Sequence, residues 1–358
     1  MQMVGRNYFL KPKGAVTVLL LTVTYITSYV LYFSYTTPGQ ANSYLYWLER
    51  KLKVRPSYVY QGASMQEENE ETYFPANLRV LSNETCPEKF YEMNGKMSVN
   101  VDEINLDKLN LQFSGKVKYG GNWSPEDCIP KWNVGFLIPF RNRHYHLPIL
   151  LRHLIPMLMI QHIKFTIYVI NQEGNQRFNR AMLLNVGYLE ALKMKHHDCF
   201  IFHDVDHLPE NNRNYYGCTD MPRQFRVLLD VNDYSLEYPT FFGGVTGLTT
   251  EQFKKVNGFS NEFWGWGGED DDLYARVNKL GYNVSSATPT RGRYSTLQKN
   301  HHQESQNLGR FNLLTSSIER NSIDGLNSLR YQPATIETHK LFTNISVDLQ
   351  PVRMLKKT

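Results

Sequence analysis

The chain has little excess charge of either sign. Its 39 lysines and arginines face 34 aspartates and glutamates, a net +5 over 358 residues. So small a balance argues against nucleic acid as the main partner. It lacks an internal repeat and a glycine-rich phosphate loop, which removes solenoids and P-loop nucleotide enzymes. Cysteines number only four. Long uncharged runs are equally scarce, and the one present is informative.

That run is Gly14 to Phe33, rich in Val, Leu and Thr. Twenty helical residues span about 30 Å, one bilayer core. Arg6, Lys11 and Lys13 precede it, and no basic residue follows until Arg50. The positive-inside rule then leaves the N-terminus in the cytosol and the rest in the lumen. The alternative is a cleaved signal peptide, but the run is long for one and lacks a clear small-residue cleavage site. The expected organisation is a cytosolic tail (1–13), a transmembrane signal anchor (14–33), a polar stem (34–81), a lumenal body (82–350) and a short tail (351–358). The stem contains the acidic stretch Gln66–Glu71 and shows no sustained periodicity. Four cysteines, Cys86, Cys128, Cys199 and Cys218, suit two disulfides in an oxidising lumen, with the pairing left open. Asn83, Asn122, Asn283 and Asn344 each open a glycosylation sequon.

Within the body, Asn133–Phe140 is an apolar run that ends at Arg141 and Arg143, as a buried strand feeding a loop would. His146–Ile160 is helix-compatible, and Lys164–Ile170 is β-branched and aromatic, hence a strand. Phe178, Met182, Leu183, Val186, Leu189 and Leu192 recur at helical spacing, and Cys199–Phe202 is a third strand. Alternating strands and helices predict a parallel α/β sheet with its ligand beyond the carboxyl ends of the strands.

The third strand runs into Asp204-Val-Asp206. Two carboxylates at a strand exit can hold Mg²⁺ or Mn²⁺ and a ribose hydroxyl, whereas a solvated acidic turn is the plainer reading. Further on stands Phe263-Trp-Gly-Trp-Gly-Gly-Glu-Asp-Asp-Asp272. Four acids in a row usually form a solvated face, but two tryptophans and three glycines before them fit a sugar site better. Tryptophan stacks on sugar rings, and carboxylates accept from sugar hydroxyls or act as a base. Phe241-Phe-Gly-Gly-Val245 and Asn257-Gly-Phe259 read, by themselves, as core with turns.

Together these pieces resemble the β1,4-galactosyltransferase family, including its invertebrate N-acetylgalactosaminyltransferase members. The resemblance rests on Pro139-Phe-Arg-Asn-Arg143, Tyr168-Val-Ile-Asn-Gln172, Phe178-Asn-Arg-Ala181, Leu184-Asn-Val-Gly187, Asp204-Val-Asp206, Phe242-Gly-Gly-Val245, Trp264-Gly-Trp-Gly-Gly-Glu-Asp-Asp-Asp272 and Asp324-Gly-Leu-Asn-Ser-Leu329, in family order. It implies a Golgi type II membrane enzyme whose 82–350 body has the GT-A fold, a mostly parallel sheet flanked by helices. It implies Mn²⁺, UDP-galactose or UDP-N-acetylgalactosamine as donor, and inversion at the anomeric carbon. The acceptor would be a glycoprotein or glycolipid ending in N-acetylglucosamine. The disulfides would be Cys86–Cys128 and Cys199–Cys218. Pro139, Phe140, Arg141, Arg143, Phe178, Arg180, Asp204, Val205, Phe241, Gly244 and Trp266 would serve the donor. Tyr238, Glu269, Asp270, Arg310, Phe311 and Leu314 would serve the acceptor. Asp270 would be the base, beside Glu269 and Asp271, and Asp206 a metal ligand.

Three departures from the family pattern stand out. The family's remaining metal ligands are Met and His; ungapped counting puts Thr296 and Lys299 there, with His301 and His302 just beyond, so His301 is the expected ligand. A family lysine near Asp230 is Val231 here. The donor-selecting position before Phe242 is Phe241, which keeps a ring's bulk against an N-acetyl group but lacks tyrosine's hydroxyl. This favours galactose, with N-acetylgalactosamine as the alternative donor. A lectin-like binder of the same fold and a metal-dependent hydrolase are the competing functions.

Overall fold

Five successive segments between Asn133 and His203 build the frame on which the site rests. The structure is a computed structural model and describes residues 83–299 and 304–351. The expected tail, anchor and stem, and His301 and His302, lie outside the described residues. Among the described residues no helix is long and apolar enough to cross a membrane.

The strands are β1 (Asn122–Trp123), β2 (Asn133–Phe140), β3 (Lys164–Glu173), β4 (Cys199–His203), β5 (His207–Pro209), β6 (Arg223–Gln224), β7 (Leu228–Leu229), β8 (Val245–Thr249), β9 (Ser285–Ser286), β10 (Arg293–Thr296), β11 (Thr335–Thr338) and β12 (Thr343–Asp348). The helices are α1 (Leu106–Gln112), α2 (His146–Ile160), α3 (Arg180–Met194), α4 (Thr250–Lys255), α5 (Glu269–Lys279), α6 (Arg310–Thr315) and α7 (Ser317–Arg320).

The main sheet runs β11-β12-β3-β2-β4-β8-β6-β9, with β1 paired to β3. Strands β12, β3, β2 and β4 are parallel, as the alternating pattern predicts. Beyond β4 the direction reverses: β8 is antiparallel to β4, and β6 to β8. The sheet is therefore mixed, with a parallel centre. Seven of the eight β2 residues are buried, because the strand is paired on both edges and covered on both faces. A second sheet, β5-β10-β7, lies just after the Asp204–Asp206 turn in sequence. Both disulfides form as the family resemblance implies, Cys86–Cys128 and Cys199–Cys218, the latter tying the start of β4 to the loop before β6.

Polar caps fix where helices begin. The Asn179 side chain accepts from the Met182 amide at the start of α3. Thr249 and Gln252 form a capping box on α4. Helix α5 begins differently, after Gly268, whose φ of 101° is left-handed backbone that favours glycine.

The last of the four tandem acids does not face solvent. Asp272 is wholly buried and pairs with Arg276 at 2.5 Å and Arg320 at 3.3 Å. Asp324 closes the cluster, pairing with Arg320 and accepting from Ser260 Oγ at 2.5 Å and the Asn261 amide at 2.8 Å. Removing one partner of a buried ionic cluster strands the others. Asp324→Ala should therefore cost about 3–5 kcal/mol of stability, measured by urea unfolding; a loss below about 1 kcal/mol would show that the cluster does not hold α5 and α7.

Candidate active site

The parallel strands deliver their carboxyl ends to one edge of the sheet. From β2, Pro139 and Phe140 are buried and Arg141 follows. Arg141 donates to the Gln176 carbonyl, pairs with Glu304 and lies over the Phe178 ring at 5.1 Å. Arg143, part-buried, stands two residues on. The chain leaving β4 turns through Asp204, Val205 and Asp206, and the Gly244 carbonyl accepts the Asp204 amide at 2.9 Å.

Arg180, the first residue of α3, joins this edge to α5. Its Nε donates to Asp204 Oδ1 at 2.6 Å, and its Nη1 lies 3.8 Å from Glu269. Burial opposes its charge, but Asp204 and Glu269 outweigh that and hold its pKa above the usual value. Asp270 accepts the Asp271 amide on Oδ1 at 3.0 Å, while Oδ2 faces Gly243. A Cβ on Gly243 would collide with Asp270 Oδ2 and come within 2.9 Å of the Phe241 ring, so only glycine lets Phe241 and Asp270 stand together. Asp271 accepts from the Tyr238 hydroxyl at 2.7 Å. Trp266 is 38% exposed, and the Arg310 guanidinium lies 5.4 Å from its ring and 4.9 Å from that of Phe311. Leu314 is buried on the same short helix, α6. The residues that make these contacts thus lie at one edge of the sheet, and His301, the expected metal ligand, is outside the described residues.

Sequence reasoning missed Arg226 and Glu237. Arg226 pairs with Glu237 at 2.8 Å and stacks on Phe241 at 4.1 Å, bracing the ring from behind. A lone arginine in an apolar stretch gives no signal of that.

Two side-chain groups among the described residues are close enough to hold a metal. In one, Cys86 and Cys128 are already joined as a disulfide. The other is Asp204, Asp206 and His207. Carboxylate oxygens with an imidazole nitrogen suit Mn²⁺. Among the buried polar atoms with no hydrogen-bond partner are Arg180 Nη2, Glu269 Oε2, Trp264 Nε1 and Arg310 Nη1. Such donors beside an acceptor would suit a polyhydroxylated, anionic ligand.

Of the sequon asparagines, Asn83 and Asn283 are exposed. Asn122 and Asn344 lie in strands, where their amides donate to the Tyr119 carbonyl and to Ser346 and Glu337.

A mixed sheet of this order, with paired aspartates at a strand exit and an acid-rich helix opposite, defines a GT-A glycosyltransferase. Residues 86–219 match the N-terminal region of glycosyl transferase group 7, and residues 223–302 match the N-terminal domain of galactosyltransferase. Beta-1,4-galactosyltransferase 6 of Rattus norvegicus is 49% identical over 90% of this chain and 91% of its own. Beta-1,4-galactosyltransferase 5 of Sus scrofa is 46% identical over 91% of this chain and 92% of its own. The catalytic domain of Drosophila beta1,4galactosyltransferase 7, solved with xylobiose, superposes with a TM-score of 0.53 at 27% identity, over 62% of this chain and 95% of that one. The chain belongs to the β1,4-galactosyltransferase family.

The crowded carboxylates leave a measurable mark. Burial, then Asp270, pushes the Glu269 carboxyl up to about 7, against about 4.3 for a free side chain. Folded protein then holds the proton more tightly than unfolded chain. The stability this contributes is complete below about pH 4.3 and is lost as pH rises through about 7. Glu269→Gln, a neutral isostere, should stabilise the ligand-free chain more at pH 8 than at pH 5, by on the order of 2 kcal/mol. Denaturant unfolding at both pH values tests this, and an equal effect at the two would refute it.

Proposed function

We propose that this chain is an inverting β1,4-galactosyltransferase of the Golgi membrane, anchored by residues 14–33 with its body in the lumen. It moves galactose from UDP-galactose to the 4-hydroxyl of a terminal N-acetylglucosamine on a glycoprotein or glycolipid. The observation that carries this reading is Arg180, which pairs with Asp204 at the strand exit and reaches Glu269 on the acid-rich helix, with an orphaned polar atom left on each of Arg180 and Glu269. A related Drosophila enzyme, as a mutant, was solved with manganese, UDP-Gal and xylobiose, which supports the donor and the ion.

Pro139, Phe140, Arg141, Arg143, Phe178 and Arg180 hold the uridine nucleotide. Asp204, Val205, Gly244 and Trp266 complete the donor pocket, and Asp206 ligates the metal. A divalent cation held there by Asp206 would offset the charge that develops on the leaving diphosphate. Tyr238, Glu269, Arg310, Phe311 and Leu314 orient the acceptor. Asp270 Oδ2 takes the proton from the acceptor 4-hydroxyl as its oxygen bonds to the anomeric carbon and the bond to UDP breaks. Burial raises the Asp270 pKa, while Arg180 pulls it back towards the ionised form that a base requires. Glycans sit on Asn83 and Asn283, the two exposed acceptors.

Incubating the chain with UDP-galactose or UDP-N-acetylgalactosamine, Mn²⁺ and a terminal N-acetylglucosamine acceptor tests the assignment. Transfer supports it; UDP release alone indicates a hydrolase, and acceptor binding without turnover a lectin. Asp270→Asn should lower kcat by about 100-fold or more while leaving UDP affinity largely intact; retained turnover excludes Asp270 as the base. Phe241 lacks the hydroxyl of a tyrosine, and this favours some use of the N-acetylated donor. Phe241→Leu should raise the ratio of N-acetylgalactosamine to galactose transfer by about tenfold, and an unchanged ratio removes Phe241 as the donor gate.

A further inference from the structure

The turn that follows β4 brings a third donor atom up to the paired aspartates. His207 opens β5 and is 6% exposed. Its Nδ1 lies 3.6 Å from Asp204 Oδ2 and 3.9 Å from Asp206 Oδ1. Neither separation is that of a hydrogen bond. Two ligands about 2.1 Å from one divalent ion lie about 3 Å apart when adjacent and about 4.2 Å apart when opposite. Both measured separations fall inside that range. One ligand atom from each of the three residues lies within 4.8 Å of the others. The ring is also boxed in: a Cβ on Gly244 would stand 3.1 Å from His207 Cε1.

A second observation lies across the ladder. Thr296 on β10 is the antiparallel partner of His207, and cross-strand partners project to the same face. Thr296 is 5% exposed, and its Oγ1 is buried with no hydrogen-bond partner. The Asp206 carbonyl accepts the amide of the next residue, Leu297, at 2.9 Å, so β10 is fastened against the aspartate turn. A buried imidazole and an orphaned hydroxyl therefore share one face beside two carboxylates.

We infer that His207 is a ligand of the divalent cation, binding it through Nδ1 alongside Asp206. The inference rests on the metal-assisted transfer proposed above. It gives the site a nitrogen donor within the described residues. An imidazole nitrogen departs from the all-oxygen sets that Mg²⁺ and Ca²⁺ take. His207 would thus set metal choice as well as affinity.

The test uses the full chain, detergent-solubilised, with UDP and Mn²⁺. Binding is followed by calorimetry, and directly coordinated imidazole by the nitrogen coupling in the pulsed EPR spectrum of Mn²⁺. The His301→Ala/His302→Ala double variant should keep an imidazole coupling, and loss of all nitrogen coupling there overturns the inference. Adding His207→Ala should remove that coupling, weaken Mn²⁺ binding about tenfold or more, and lower the preference for Mn²⁺ over Mg²⁺. Unchanged coupling and affinity would overturn it equally. Should His207→Ala fail to fold, judged by melting and metal-free UDP binding, the double variant decides alone. Asp206→Asn separates the two readings. If it leaves Mn²⁺ affinity unchanged, the metal assignment to the aspartate turn itself has failed; if it weakens binding while His207→Ala does not, only the histidine's role is lost.

Discussion

The two sides of the sheet edge are joined through one part-buried cation. Arg180 stands between Asp204, at the exit of β4, and Glu269, at the start of α5. Without it, three carboxylates from two separate elements would face one another with little water to screen them. With it, the strand exit and the start of α5 share a counterion, which couples their positions. Its position follows from local structure: Asn179 caps α3 and, through its side-chain amide, grips the Asn261 carbonyl at 2.8 Å. The loop leading to the tryptophans is thereby tied to the helix that carries the arginine. Even so, the neutralisation is incomplete: burial first, and then the neighbouring Asp270 charge, keep the Glu269 carboxyl raised despite Arg180. A site with this surplus of negative charge is suited to a divalent cation.

The central strands and helices were readable because their signal is periodic. The apolar run ending at Arg141 bounds β2, and helical spacing from Phe178 to Leu192 marks α3, which the structure places two residues later at each end. The reversal after β4 was not readable. Strands β6, β7 and β9 have two residues each, too few to show any period, and their pairing depends on contacts distant in sequence. The acids were visible as chemistry but not as a helix, since three glycines and two tryptophans ahead of them read as loop. His207 escaped notice for a related reason. In strand alternation it should face away from Asp206, but the chain turns between β4 and β5 and brings its ring back.

Phe241 shows why a specificity residue cannot be judged by identity alone. Its ring lies between Gly243, with Asp270 beyond it, and the guanidinium of Arg226. Arg226 is held in turn by Glu237, and the Gln224 side chain donates to the carbonyls of Arg226 and Gly243. Phe241 is therefore one layer of a stack: ion pair, cation over ring, ring against glycine, glycine against Asp270. A change in any layer shifts the others, and Arg226 and Glu237 belong to none of the motifs read from the sequence.

Four adjacent acids acquire different tasks because a helix turns about 100° per residue. Successive side chains on the first turn of α5 sweep most of its circumference, so they cannot share an environment. Glu269 and Asp270 face Arg180 and the sheet edge, Asp271 meets the Tyr238 hydroxyl, and Asp272 points into the protein. The helix N-terminus favours all four electrostatically, which makes such a run tolerable there and nowhere else on the helix. Asp272 then uses the i,i+4 spacing to hold Arg276, and through Arg320 and Asp324 it binds α5 to α7. The one acid of the four that is wholly buried is thus the one that fixes the rotation of the helix, and hence the aim of the other three.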